Sequence, residues 1–273
     1  MLQNLHTHTL FADGKDTVAE MAEAAFALGV DSLGFSEHGI TDFDPKYSMS
    51  LESAPRYAAE VAAEKERYAG RMEILCGVEQ DFYSMEPNFD CDYRIGSVHY
   101  IKKGDEYVIV DGGSAEQLLL RIEKYWNGDR MAMCEEYYSM VSRLPEVTKC
   151  NIIGHFDVIT KLNELSGLFD TEDRRYREAA YSAVDALCGA DMVFEINTGA
   201  MARGARTTPY PYPDILHRIR ERGGRIMFNS DCHDKAKLLY GREVATALAR
   251  ETGFTEYAVF TNEGFTMHKI NVI

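Results

Sequence analysis

The stretch Leu2-Gln3-Asn4-Leu5-His6-Thr7-His8 decides the reading of this chain: a short β-prone run that ends on two closely spaced histidines. Five later runs end in a similar way, on Ser36-Glu37-His38, Glu79-Gln80-Asp81, Gly96-Ser97-Val98-His99, Gly154-His155 and Ser230-Asp231-Cys232-His233. Six of the eight histidines fall in these endings. Imidazole and carboxylate groups recurring at successive strand ends are how the catalytic face of a barrel enzyme reads in one dimension, because that face is built from the C-terminal ends of its strands.

Outward from these endings, strand-like runs alternate with helical ones. Leu2–His6 leads to a helix over Thr17–Leu28, where Val18, Met21, Ala22, Ala25 and Phe26 recur at helical spacing and Gly29 supplies a stop. Further strands are expected at Asp31–Ser36, Glu73–Gln80, Tyr93–Tyr100, Cys150–His155, Met192–Asn197 and Arg225–Ser230. Helices are expected at Ser53–Tyr68, Ser114–Asn127, Met131–Leu144, within Thr171–Cys188, at Asp214–Arg222 and at Arg242–Thr252, and Tyr257–Thr261 is a candidate eighth strand. The third and fourth strands are joined by a short connection, a departure from strict alternation. No internal repeat or Pro/Ser-rich linker divides the 273 residues, so one α/β barrel domain over residues 1–273 is expected. A doubly wound open sheet fits less well. No glycine-rich phosphate loop follows the first strand, and the polar endings come from too many strands for one switch-point crevice.

With 29 basic and 44 acidic residues the formal net charge is −15. That balance argues against a nucleic-acid partner, whose binders usually present a basic stripe or patch, and is otherwise what the solvated helix faces of an acidic protein give. A small phosphorylated substrate needs only a local cationic pocket. The six cysteines are scattered without a C-x-x-C pair, and Cys76 and Cys150 sit in or beside apolar runs, where a thiol acts as a small hydrophobe. The N-terminal stretch lacks the basic region of a signal peptide, and no apolar run approaches the ~20 residues of a membrane span. A reducing cytoplasm and no membrane partner are therefore expected.

Imidazole and carboxylate ligands hold zinc, iron or manganese in hydrolytic sites, whereas thiolates mark structural zinc. Taken singly, each candidate has an ordinary alternative. Asp13, in Phe11-Ala12-Asp13-Gly14, reads as a turn aspartate, His155 as a hydrogen-bonded core histidine, Glu79 as a solvated charge and Asp231 as a helix N-cap. Their shared strand-end placement favours a joint metal site. His217 and His268 lack that context. No G-x-S-x-G nucleophile elbow is present; Ser97 is expected to pack or to hydrogen-bond near a metal ligand, and Cys232 to point away from the site.

The ordered set His6-x-His8, Asp13, Glu37-His38, Glu79, His99, His155 and Asp231-x-His233 resembles the polymerase and histidinol phosphatase (PHP) superfamily, and within it the monofunctional histidinol-phosphatase branch. The resemblance spans His6 to His233. It implies a distorted (β/α)7 barrel with the metal site at the C-terminal ends of the strands, two or three divalent ions (zinc, manganese or iron), and hydrolysis of L-histidinol phosphate in histidine biosynthesis. Carried over by position, His6, His8, Glu79 and Asp231 hold one ion. Glu79 bridges to a second, completed by His99 and His155, and Asp13, His38 and His233 hold a third. Some relatives have histidine in place of Asp13. In the segment Glu195-Ile196-Asn197-Thr198-Gly199-Ala200-Met201-Ala202-Arg203 the resemblance implies Arg203 as a ligand of the substrate phosphate, with Lys161 in a similar part.

Phosphate-monoester hydrolysis depends on positioning and charge neutralisation. Asp231 is accordingly expected to orient the attacking water and His233 to influence protonation of the leaving group. Arg206 has only proximity to recommend it and reads as a surface cation. Asp42, Phe43 and Tyr210 are among the candidates to meet the amine and imidazole of the substrate. Beside the leading reading stand a related phosphoesterase acting on nucleotides or other small phosphate esters, a metal-dependent amide hydrolase, and a metal-binding domain without activity. The pair Lys161 and Arg203 favours phosphate, and the complete ligand pattern argues against lost activity.

Overall fold

Apolar runs and capped helices succeed one another through the computed structural model, which describes residues 1–270. In chain order the elements are β1 (Gln3–Asn4), α1 (Val18–Ala27), β2 (Ser32–Phe35), α2 (Ser53–Arg67), β3 (Glu73–Asp81), β4 (Tyr93–Ser97), β5 (Tyr100–Lys103) and β6 (Glu106–Ile109). There follow α3 (Ala115–Trp126), α4 (Arg130–Val141), α5 (Leu144–Thr148), β7 (Ile152–Ile153), α6 (Asn163–Ser166), α7 (Arg174–Gly189), β8 (Val193–Asn197) and α8 (Gly199–Ala202). The last are α9 (Pro213–Glu221), β9 (Arg225–Asn229), α10 (Arg242–Glu251), β10 (Glu256–Thr261) and β11 (Gly264–Lys269). Local sequence explains some of the helix starts. Thr17 and Glu20 form a capping box on α1, as Ser114 and Gln117 do on α3, satisfying amides that an uncapped helix leaves unpaired.

Seven strands form one parallel sheet in the order β1-β2-β3-β4-β7-β8-β9. The sheet curls until its two ends meet. The His8 amide donates to the Cys232 carbonyl at 2.8 Å and the Cys232 amide to that of His6 at 3.0 Å. Deeper in the seam, side chains replace the ladder: Leu5 N–H donates to Asn229 Oδ1 and Ser230 N–H to Asn4 Oδ1.

The interior is packed rather than hollow. Leu5, Leu75, Tyr93, Ile95, Ile152, Val193 and Met227 fill it, together with Ala258 and Phe260. The last two belong to an antiparallel β10–β11 hairpin held to β1 by reciprocal bonds between the Gln3 amide side chain and the Phe260 backbone. The hairpin plugs the end of the barrel opposite the histidines. Tyr93 spans the interior and directs its hydroxyl at the Leu5 and Phe35 carbonyls. Gly34 and Gly77 make room for it, since a Cβ at either would lie 2.3 Å from the tyrosine.

Three expectations are corrected. Tyr257–Thr261 is not an eighth barrel strand, because it pairs only with β11, outside the main sheet. The run Tyr93–Tyr100 is not one strand. It breaks at Val98-His99, where the Asp81 carboxylate takes the His99 amide at 2.8 Å, and the chain turns into a β5–β6 hairpin. Strands at Leu2–His6 and Cys150–His155 shrink to two residues each, because side chains near the site take over their ladder bonds. No described helix is long and apolar enough to cross a membrane.

Candidate metal centre and substrate cavity

The strand ends deliver their polar residues to one face. His6 and His8 follow β1, His38 follows β2, Glu79 lies on β3, His99 follows β4, His155 follows β7, and Asp231 and His233 follow β9. They meet at the floor of a cavity of about 740 Å³. Asp13, His38, His99, His155, Asp231 and His233 line it, while His6, His8 and Glu79 lie beneath, almost wholly buried. All nine candidate ligands are brought together.

Glu79 is the hub. Its Oε2 faces His6 Nε2 at 3.2 Å, His8 Nε2 at 3.5 Å and His38 Nδ1 at 2.9 Å. Its Oε1 faces His155 Nε2 at 2.8 Å and His99 Nε2 at 3.6 Å. Asp231 Oδ1 stands 3.8 Å from His6 Nε2 and 3.5 Å from His8 Nε2. On the outer side, Asp13 Oδ1 stands 3.2 Å from His233 Nε2 and 3.6 Å from His38 Nε2. The His8 ring stacks against those of His38 and His233, and its nitrogens lie within reach of both the inner and the outer group. Asp231 adopts a left-handed backbone, φ 48°, a conformation uncommon outside glycine that concentrates at functional sites.

Several buried atoms here have no hydrogen-bond partner: His6 Nε2, both ring nitrogens of His8, Asp13 Oδ1 and Glu79 Oε2. Buried polar groups are normally satisfied, and a shared cation is what would satisfy a cluster of lone pairs aimed at common points. The carboxyl groups of the cluster are held ionised. Burial alone would raise the Glu79 and Asp231 carboxyls, but His38, His6 and His99 hold the first, and Arg203 and His6 the second, well below the usual range. Burial, helped by His233 and His38, pushes His8 down to about 3, leaving it the neutral ring that a metal requires. The donor set, nitrogen and oxygen only, fits zinc, manganese or iron.

The cations lie beside this floor. Arg203 lines the cavity and reaches Asp231 Oδ2 at 2.9 Å, the Asp231 carbonyl at 3.1 Å and His233 Nδ1 at 3.0 Å. Lys161, also lining it, pairs with Asp111 Oδ2 at 2.9 Å. Arg206 is not a surface cation. It is 3% exposed, sandwiched on Tyr210 and Tyr212 and paired with Glu164, so it braces the wall behind the site. Asp42, Phe43 and Tyr210 do not line the cavity; Asp44, Tyr47 and Tyr100 do. Ser97 Oγ donates to Glu79 Oε1 at 2.7 Å. Cys232 belongs to the buried apolar cluster that includes Val18, Met21 and Leu238, its thiol is pushed up to about 12 by burial, and it donates to the Asp234 carbonyl, all of which suit packing rather than nucleophilic attack.

Sequence reasoning named Glu195, Asp81 and Glu37 but missed that they hold these groups from behind. Glu195, fully buried, accepts from His6 Nδ1 at 2.9 Å; Asp81 holds the His99 amide; Glu37 accepts from the amide and hydroxyl of Thr9. The available signal was a carboxylate inside an apolar run, Val193-Phe194-Glu195-Ile196, every residue of which is buried; a charge there needs a partner.

This combination of curled parallel sheet and strand-end ligand cluster is that of a metal-dependent phosphoesterase barrel. The chain belongs to the PHP domain family, whose sequence profile matches residues 4–199. It is 25% identical to the histidinol-phosphatase of Bacillus subtilis, over 87% of this chain and 96% of that one. It is 28% identical to a Deinococcus radiodurans protein named "Probable histidinol-phosphatase", over 91% and 92% of the two chains. In fold it matches the histidinol phosphate phosphatase of Lactococcus lactis, solved with zinc, L-histidinol and phosphate, with a TM-score of 0.74 and 21% identity over 97% of this chain and 98% of that one. The distorted (β/α)7 barrel of the PHP type is thus the fold of this chain.

Proposed function

We propose that this chain hydrolyses L-histidinol phosphate to L-histidinol and phosphate, using two or three divalent ions. The observation that carries the reading is the convergence of nine nitrogen and oxygen ligands at and beneath the floor of one cavity that Arg203 and Lys161 also line. The names of the relatives support the choice of ester, as does the ligand pair in the Lactococcus structure.

His6, His8, Glu79 and Asp231 would hold one ion, Glu79 with His99 and His155 a second, and Asp13, His38 and His233 a third. Bound there, such ions supply positive charge for the phosphoryl oxygens and acidify water at neutral pH. The remaining work falls to the chain. Arg203 presents a planar fork that suits a phosphate, while Lys161 offers a point charge. Asp231, ionised and fixed by Arg203, orients the attacking water. His233, on the cavity wall, is placed to manage the proton of the departing alkoxide. Asp44 and Asp111 give the same cavity an acidic side suited to a substrate with an amine.

A phosphate-release screen of the metal-reconstituted protein tests the reading, with histidinol phosphate set beside nucleotides and sugar phosphates. A clear preference for histidinol phosphate is expected. Equal rates on mixed esters would instead point to a phosphoesterase of broader range.

A further inference from the structure

Behind the ligand cluster, one carboxylate is surrounded by donors alone. Glu195 is fully buried. Its Oε1 accepts from the His155 amide at 2.6 Å and from Asn197 Nδ2 at 2.7 Å. Its Oε2 accepts from Asn229 Nδ2 at 2.9 Å and from His6 Nδ1 at 2.9 Å. The amide orientations are fixed independently. Asn197 Oδ1 accepts the Gly199 amide at 2.8 Å and Asn229 Oδ1 the Leu5 amide at 2.9 Å, so both NH2 groups must face Glu195.

We infer that Glu195 is a positioning residue that dictates the tautomer of His6, forcing its proton onto Nδ1 so that the lone pair on Nε2 faces Glu79 and Asp231. Two ring nitrogens compete for one proton in a neutral imidazole, and the partner of one decides the role of the other. An acceptor at Nδ1 leaves Nε2 free to ligate. The inference rests on the reading of His6 as a metal ligand. It extends that reading because the same carboxylate also ties the His155 backbone, so one group behind the site braces ligands assigned to two different ions.

The chemistry makes a sharp demand on Glu195→Gln. The replacement has the same shape, but its NH2 would meet only donors. The one neighbour able to relent is His6, by moving its proton to Nε2 and offering Nδ1 as acceptor. In that tautomer Nε2 has no lone pair for an ion. A residue of merely structural value would instead lower stability and leave the histidine unchanged.

The test measures zinc affinity by chelator competition in wild type, Glu195→Gln, Glu195→Asp, His6→Ala and the His6→Ala/Glu195→Gln double variant, with folding followed by circular dichroism. Glu195→Gln is expected to bind zinc roughly ten- to a hundredfold more weakly, and most of that loss is expected to vanish when His6 is already alanine. Glu195→Asp keeps an acceptor and is expected to fall between wild type and Gln; it decides the matter should the Gln variant not fold. Wild-type affinity in the variant that folds, or an equal loss with and without His6, overturns the inference. Wild-type protein that takes up no zinc overturns the metal reading itself, a separate result.

Discussion

Glu79 faces five imidazoles with two oxygens, so its charge is the one most shared across the floor of the cavity. Glu79→Gln keeps the shape and removes that charge; metal content measured by elemental analysis is expected to fall together with the rate, and normal values of both would show that Glu79 bridges nothing. Cys232→Ser, after β9 between Asp231 and His233, is expected to keep most of the activity; complete loss with metals still bound would restore the thiol as a nucleophile. Arg203→Ala is expected to leave the metals in place and lower kcat/KM roughly ten- to a hundredfold, the value of a hydrogen bond to a charged group at ~1.5–3 kcal/mol. Arg203→Lys recovers part of this, because an ammonium lacks the guanidinium fork. Wild-type kcat/KM in Arg203→Ala would remove it from the substrate site. The grouping of eight of the nine candidate ligands was legible in the sequence because they share strand ends, while Asp13, in a turn, entered only through the family resemblance. The roles of Glu195 and Asp81 were not legible, because their partners are a ring nitrogen and a backbone amide that only the folded chain brings near.

At the scale of elements, the alternation of strand and helix was legible from apolar spacing and capping residues. The strand lengths were not. β1, β4 and β7 stop where Asn229, Asp81 and Glu195 intercept amides that a longer ladder would have used, and such exchanges leave no periodic trace. Tyr93 is the converse case, an aromatic that reads as an ordinary strand residue but fills the barrel between two glycines. Gly77→Ala is expected to lower stability by ~1–3 kcal/mol in urea unfolding, the usual cost of overfilling a packed core. Combining it with Tyr93→Leu is expected to give less than the sum of the two losses, since the added methyl then meets a smaller neighbour. Strict additivity would mean that Gly77 does not serve Tyr93.

Across the whole molecule, the barrel and the candidate metal cluster share their parts, since His6, His8 and Cys232 make the seam as well as flanking or forming the site. Chelation is therefore expected to abolish phosphate release and also to lower the melting temperature, with zinc, manganese or iron restoring both. Full activity in protein shown to be metal-free would refute the proposed chemistry. The seam has a further consequence for how the protein is made. Leu5 and its closing partner Asn229 are 224 residues apart, so a ribosome releases β1 long before anything exists to lie against its open edge. Until β9 emerges, the nascent chain presents two histidines at the end of a strand with one edge still open, and the stretch that carries β9 both shuts the barrel and delivers Asp231 and His233. Closure of the sheet and the first chance to trap an ion between its two ends thus arrive as a single event.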